Sequence, residues 1–260
     1  MLDSVVIQEY KDGVLTLWLN RPEVLNAFNR DLANGLTEGI RRAMTDIQIR
    51  VVVIRGRGRG FCSGQDLSVA LDERAGRIRD IVREMYNPLI QAMRDLPKPI
   101  IASVGGVAAG AGMSLALAAD LRIAAANARF VYGFSGIGLA PDSGASYYLP
   151  RIIGVARALE FSMLGGSVNA DQALALGLVS KVVPVDALDE ETEAFALRLA
   201  AGPTVALGLT KRAMYEGATG ALTDALEREA LYQQLASESE DFKEGVQAFL
   251  DKRSPQYKGC

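Results

Sequence analysis

The sequence predicts an α/β protein whose parallel-stranded core is followed by a layer of helices. Three observations carry this. Across the first half, short β-branched runs alternate with segments whose apolar residues recur every four positions. Past about residue 150 the helical pattern continues, with one further strand-like run at 178–183. At 260 residues the chain can bury roughly 70–75% of its unfolded surface, enough for one large core with or without a small appendage.

The elements follow in order. Residues 14–19 are β-rich and stop at Asn20-Arg21-Pro22. Over 30–44, Leu32, Leu36, Ile40 and Met44 recur at fourfold spacing and predict a helix. The unbroken run 51–54 reads as a strand buried on both faces. A Gly/Arg loop, 56–64, separates it from a helix over 75–93, with Ile78, Ile81, Met85, Leu89 and Met93 on one side and a kink at Pro88. Residues 99–104 form a second buried strand. A Gly/Ala turn leads into an Ala/Leu helix, 111–119, and 121–125 and 130–132 are further strands. Helices then read at 155–164, 170–176, 188–201, 204–215, 222–237 and 241–252. No repeat or long linker divides the chain. It separates into an α/β core, 1–200, and a C-terminal helical region, 201–260.

Composition narrows the function. A net charge of −3 without a basic block argues against a nucleic-acid partner. The apolar stretch 99–119 is interrupted by Ser103, Gly105, Gly106, Gly110 and Gly112, so it reads as strand, turn and buried helix rather than a membrane span. Met1-Leu2-Asp3-Ser4 lacks a basic region followed by an apolar run, and Cys62 and Cys260 suggest no disulfide framework; a soluble cytoplasmic protein is expected. The chain has no histidine. Cys62 therefore cannot form a Cys/His pair, and neither a metal site nor a bound cofactor is expected.

Between Leu96 and Leu159 the chain has only two of its 31 acidic residues, Asp120 and Asp142. Asp120 ends the Ala/Leu helix two residues before Arg122 and reads as structural. Asp142 lies in Ala140-Pro141-Asp142-Ser143-Gly144. Such a residue is often only a turn or N-cap aspartate. Here its sequence neighbours are Phe130, Phe134, Ile137, Leu139, Tyr147 and Tyr148. A carboxylate against such walls has a raised pKa and can carry protons. Two Gly-containing turns, 58–67 and 105–112, follow the two buried strands. Open α/β sheets place ligands at such strand ends, and two backbone amides from two turns can form an oxyanion hole. Neither turn has a nucleotide-binding spacing.

Together these residues resemble the crotonase superfamily, the enoyl-CoA hydratase/isomerase family. The resemblance rests on four ordered motifs: Leu19-Asn20-Arg21-Pro22-x-x-Leu25-Asn26-Ala27; Gly60-Phe61-Cys62-Ser63-Gly64-Gln65-Asp66-Leu67; Lys98-Pro99-Ile100-Ile101-Ala102 with Gly106-Val107-Ala108-Ala109-Gly110-Ala111-Gly112; and Glu244-Gly245-x-x-Ala248-Phe249-Leu250-x-Lys252-Arg253. It implies a crotonase-like repeated ββα core, an acyl-coenzyme A thioester as substrate, and a homotrimer or dimer of trimers built through the C-terminal helices. It also implies an oxyanion hole from the N–H groups of Gln65 and Ala111. Substrate contacts are implied at Glu23, Val24, Leu25, Ser63, Gly64, Asp66, Leu67, Gly110 and Phe134, and at Phe249 and Lys252, the last two including contacts from a neighbouring subunit.

The departures from the family pattern are equally informative. Hydratases of this family carry two glutamates; the matching positions here are Ser114 and Phe134. The acid retained, Asp142, matches the single aspartate of several family isomerases. Water addition uses one group to activate water and another to protonate carbon, whereas a 1,3-proton shift needs a single base. The resemblance is greatest to the ring-1,2-epoxyphenylacetyl-CoA isomerases of bacterial phenylacetate catabolism. It implies an acyl-CoA isomerase in which Asp142 shuttles the proton; Phe134, Tyr132 and Tyr147 read equally as walls of an acyl pocket or as core aromatics. The alternatives are an enoyl-CoA hydratase and a catalytically silent acyl-CoA-binding subunit.

Overall fold

The computed structural model describes residues 4–66 and 77–260. The expected helix start at 75–76 and the substrate contact assigned to Leu67 lie outside the described residues. The strands are β1 (Val6–Lys11), β2 (Val14–Leu19), β3 (Val51–Gly56), β4 (Ile100–Val104), β5 (Val107–Ala109), β6 (Leu121–Ala125), β7 (Arg129–Val131), β8 (Ser167–Asn169) and β9 (Lys181–Val183). The helices of the core are α1 (Arg30–Thr45), α2 (Ile78–Ile81), α3 (Asn87–Asp95), α4 (Ala111–Ala118), α5 (Ala145–Ile153), α6 (Val155–Met163), α7 (Ala170–Ala175) and α8 (Leu188–Ala200). The C-terminal layer is α9 (Thr204–Gly217), α10 (Leu222–Ser237) and α11 (Glu240–Leu250).

The main sheet runs β1-β2-β3-β4-β6-β9, parallel throughout except for the β1–β2 hairpin. Strand side chains alternate between faces. Leu15, Leu17, Val52 and Ile54 face the core that holds α1, α3 and α4, whereas Val14, Val51, Val53, Ile101 and Ile123 face Ala196 and Ala200 of α8. Burial on both faces is why the strands read as continuous apolar runs. A small second sheet, β5-β7-β8, stands beside the main one and carries the second Gly-containing turn.

Several expectations need correction. The apolar stripe of α1 ends before Met44, which is 40% exposed while Ala43 is fully buried. Each step of four residues overshoots a turn by about 40°, so a fourfold row drifts off the core after three steps. The helix expected from 75 onward is broken: α2 and α3 are joined by a π-helical turn, Val82–Tyr86. Pro88 lies in the first turn of α3; lacking an N–H and clashing with the carbonyl four residues back, its ring is accommodated by the wider turn before it. Ile78 is exposed rather than part of the stripe. Residues 107–109, read as a turn, form β5 because β7 pairs with them. The hairpin strand β1 and the helix α5 were not anticipated. Pro150 obscures α5, although the carbonyl it leaves free belongs to exposed Ser146.

The stretch 99–119 resolves into β4, β5 and the fully buried α4. Among the described residues no helix is long and apolar enough to cross a membrane. The C-terminal layer is tied back to the core. Arg50 donates to Thr204 Oγ1 (2.9 Å), Gly202 O (2.5 Å) and Tyr257 O (3.1 Å). Buried Asp241 accepts the backbone N–H groups of Lys258 and Gly259.

Candidate active site

The first turn is held open by the N-terminal motif. Asn26 is fully buried and left-handed (φ +57°). Its Nδ2 donates to Arg57 O (3.0 Å) and Gly60 O (2.9 Å), and its Oδ1 accepts from Arg21 N (2.8 Å). Arg21 pairs with Asp66 at 3.0 Å and also donates to Ala27 O. Ser63 N–H reaches Leu25 O (3.0 Å) and its hydroxyl reaches Val24 O (3.1 Å). Val24 and Leu25 are thus joined to Ser63, and Arg21 to Asp66, across about forty positions of sequence; Glu23 is exposed next to Val24, and Gly64 is buried.

Two peptide units then define the centre of the site. The peptide between Gly64 and Gln65 has its C=O held by Phe28 N–H at 2.7 Å, while Asp66 N–H returns to Phe28 O at 3.0 Å. In a trans peptide N–H and C=O point in opposite directions, so Gln65 N–H faces away from Phe28. The peptide between Gly110 and Ala111 has its C=O held by Ser114 N (3.0 Å) and by the Ser114 hydroxyl (3.2 Å), so Ala111 N–H points out of the N-terminus of α4. Neither N–H has an acceptor among the described residues.

The two turns are bolted together. Cys62 N–H donates to Val107 O (3.1 Å) and Ala109 N–H to Cys62 O (2.9 Å). A Cβ on Gly64 would sit 2.9 Å from Ala109 O and 3.6 Å from Ala111 N, which measures how closely the turns face each other. Gly64 (φ +94°) and Gly110 (φ +49°) adopt backbone angles that other residues reach only with strain. With the positive end of the α4 dipole added, the pair favours developing negative charge.

Asp142 lies in the turn that opens α5, its C=O accepting from Ala145 N–H (2.9 Å). It is half-buried, and that burial pushes its carboxyl above the usual carboxylate range; the Ser143 hydroxyl, donating to Oδ1 at 2.8 Å, pulls partly the other way. Ser143 is itself buried and left-handed (φ +52°), a strained state of the kind found where geometry is over-determined. The helix running from α2 through α3 links this turn to the first. The Tyr86 phenol donates to Gln65 Oε1, and the Asp142 charge helps hold that phenol protonated. One helical turn on, Ile90 Cγ2 would lie 3.3 Å from a Cβ on Gly144. Tyr86 was not among the residues singled out from sequence: a Tyr beside an apolar stripe carries no signal of what it touches.

The remaining candidates divide clearly. Ser114 is fully buried and its hydroxyl is spent on Gly110 O. Phe134 is buried edge-on against Tyr132, whose backbone O approaches Gly110. Tyr147 instead stacks with Arg94 and Arg151, on the side of α5 facing α3 and α9. Phe249 is 83% exposed on α11, where it lines a shallow hollow with Pro203, Ala206 and Phe242, and Lys252 follows on the exposed tail. A single chain does not bring them to the two turns. Asp120 is structural: it accepts from Ile100 N (2.8 Å) and the Tyr215 hydroxyl (3.1 Å) and pairs with Lys211 at 3.0 Å. Burial pushes the Cys62 thiol up to about 12, so no thiolate forms near neutral pH.

Comparison with known proteins agrees with this architecture. The model of the enoyl-CoA hydratase/isomerase family matches residues 9–260. The chain is 44% identical over 257 residues to the 1,2-epoxyphenylacetyl-CoA isomerase of Escherichia coli K12, covering 98% of each chain. It is 34% identical over 259 residues to the trans-2-decenoyl-[acyl-carrier-protein] isomerase of Streptococcus mutans, again covering 98% of each. Among solved structures, an enoyl-CoA hydratase from Polaromonas sp. JS666 superposes with a TM-score of 0.91 at 35% identity, covering 97% of this chain and 99% of that one. A repeated ββα core, two facing Gly-containing turns and four family motifs in order thus converge, and the chain belongs to the enoyl-CoA hydratase/isomerase family as a crotonase-fold enzyme.

Proposed function

We propose that this enzyme is an acyl-CoA isomerase in which Asp142 moves one proton while the N–H groups of Gln65 and Ala111 hold the thioester oxygen. The observation that supports the reading is a half-buried carboxylate whose charge reaches the Tyr86 phenol, itself bonded to the Gln65 side chain, together with two amides that have no acceptor among the described residues; both hydratase glutamate positions are chemically mute. Ser114 is locked onto Gly110 O and Phe134 is packed against Tyr132.

For a β,γ-enoyl thioester, ionised Asp142 takes the Cα proton. The electrons move onto the thioester oxygen, giving a dienolate that the two amides stabilise. The same carboxyl then returns the proton to Cγ, leaving the conjugated α,β-enoyl thioester and no net change in atoms. One base and one hole suffice. An aromatic-ring epoxide ester, the substrate class named for the Escherichia coli relative, fits the same site: its thioester oxygen sits in the hole while the epoxide rearranges to the oxepin. Tyr132 and Phe134, packed edge to face on the strand end that approaches Gly110 through the Tyr132 carbonyl, are the aromatic candidates for its wall. The adenine and pantetheine of CoA lie near Glu23, Val24 and Leu25 and along the segment that begins at Ser63.

The assembly is proposed to be a homotrimer or a dimer of trimers. Large apolar side chains stand exposed on α6 and the loop after it (Val155, Met163, Leu164) and on α10 and α11 (Leu222, Leu226, Phe249, Leu250). Burying them against copies of the chain would bring Phe249 and Lys252 to a neighbouring substrate.

The test is a set of CoA esters that includes β,γ-enoyl-CoA, epoxyphenylacetyl-CoA and crotonyl-CoA, with products followed by mass and absorbance. Asp142→Asn should bind esters nearly as the parent does and lose turnover by about three orders of magnitude. Isomerisation at the parent rate by Asp142→Asn overturns the proposal, and rapid hydration of crotonyl-CoA would favour the hydratase reading.

A further inference from the structure

Tyr86 has no role in the proton shift just described, yet it is 3% exposed in the centre of the molecule, with its hydroxyl on the side chain of one hole residue. Three features set it apart from an ordinary core tyrosine. It ends the π-helical turn Val82–Tyr86, and such turns recur at functional sites because they re-aim a side chain. Its ring meets Phe28 edge to face, with centroids 5.3 Å apart and planes at 79°. Phe28 is the residue whose N–H and C=O bracket Gln65.

Tyr86 therefore grips Gln65 in two ways. Through its hydroxyl it fixes the Gln65 side chain. Through its ring it supports Phe28, and Phe28 N–H sets the plane of the Gly64–Gln65 peptide. That peptide would otherwise be easy to turn. Gly64 has no side chain to resist rotation, and among the described residues only Phe28 pairs with Gln65 in the manner of a strand.

We propose that Tyr86 is a positioning residue that acts through Gln65, locking the Gln65 N–H in the direction where it can meet the thioester oxygen. The inference rests on the reading of Gln65 as a donor of the hole. Burial holds the phenol neutral, so it remains a donor across the working pH range.

The test uses the full-length enzyme. Tyr86→Phe keeps the ring against Phe28 and removes only the hydroxyl. It should lower kcat for β,γ-enoyl-CoA isomerisation about tenfold, the worth of a single hydrogen bond at its upper end, while KM changes less than threefold. Because the effect passes through Gln65, Tyr86→Phe combined with Gln65→Ala should be no slower than the slower single variant. A second readout is independent of turnover. Hole donors polarise the bound thioester, so its carbonyl stretch in the infrared is lowered on binding. Tyr86→Phe should move that band back toward its solution value, and Asp142→Asn should leave it in place.

Parent kcat in Tyr86→Phe, multiplicative losses in the double variant, or an unmoved carbonyl band would each overturn the role of Tyr86 while leaving the hole intact. A bound thioester whose band is not lowered in the parent enzyme would instead bring down the reading of the hole and this proposal with it, whereas parent turnover in Asp142→Asn would overturn the proton carrier alone.

Discussion

Replacing Gly112 with Ala tests whether the spacing of the two turns sets the rate. Gly112 is the second residue of α4, and a Cβ there would lie 2.3 Å from Cys62 O and 2.7 Å from Cys62 Cβ. Ordinary contact begins near 3.4 Å, so the turns must part by about 1 Å. Backbone on both sides of that contact cannot rotate away as a flexible side chain would. The separation strains the bonds that bolt the turns together, Cys62 N–H to Val107 O and Ala109 N–H to Cys62 O, and it displaces Ala111 N–H relative to Gln65 N–H. A misplacement of 1 Å costs about a hundredfold in rate, and complete loss of one hole donor costs about 2.7–4 kcal/mol. We therefore expect kcat/KM for β,γ-enoyl-CoA to fall about a hundredfold. Overpacking should cost roughly 1–3 kcal/mol of stability, lowering Tm by several degrees. Gly217→Ala is the matched control, since a Cβ at Gly217 meets nothing within 4 Å; it should leave rate and Tm nearly unchanged. A folded Gly112→Ala enzyme with parental kcat/KM would refute the claim that the distance between the turns controls the chemistry.

Asp142 should impose an acid limb on the rate. The base works only when ionised, so kcat rises with pH through its raised pKa. Ser143→Ala removes a hydrogen bond that favours the carboxylate and should shift that limb to higher pH in a pH–rate profile. The stability sign follows from the same shift. A carboxyl whose folded pKa is raised contributes stability that is present below the unfolded value of about 3.9 and is lost as pH rises through the folded one. Asp142→Asn should accordingly match or exceed the parent in Tm at neutral pH, while Tm at pH 3 stays level. Lys211→Met strands Asp120 in the interior without its cation, which should cost about 3–5 kcal/mol and lower Tm by roughly 10 °C; activity well below Tm should persist, because Asp120 does no chemistry.

Much of the architecture was legible because burial on both sheet faces leaves its mark on composition. Val51–Ile54 and Ile100–Val104 could be little else than central strands, and the glycines at 105–112 announced close backbone approach. The elements that escaped notice are those made by partners rather than by propensity. Three residues at 107–109 become a strand because β7 lies beside them, and the π-turn before Pro88 exists to relieve a steric conflict whose outcome no periodicity reveals. Asp142 could be picked out by the scarcity of acids around it, and Ser114 and Phe134 by the positions they occupy in a motif. The same reasoning had no means of separating Tyr147, which turns toward Arg94, from Tyr132, whose ring packs against Phe134 and Phe161.

The sequence by itself determined the family and the α/β core, and it singled out Asp142 as the acid proposed for proton transfer, because residue type and order suffice for each. Tertiary structure alone decided how two amides 46 positions apart come to lie on turns that pack together, each N–H without an acceptor among the described residues. The direction of an N–H is set by what holds the C=O of its own peptide. Here those partners are Phe28 and Ser114, and only folding brings the first of them, from a distant segment, to its place.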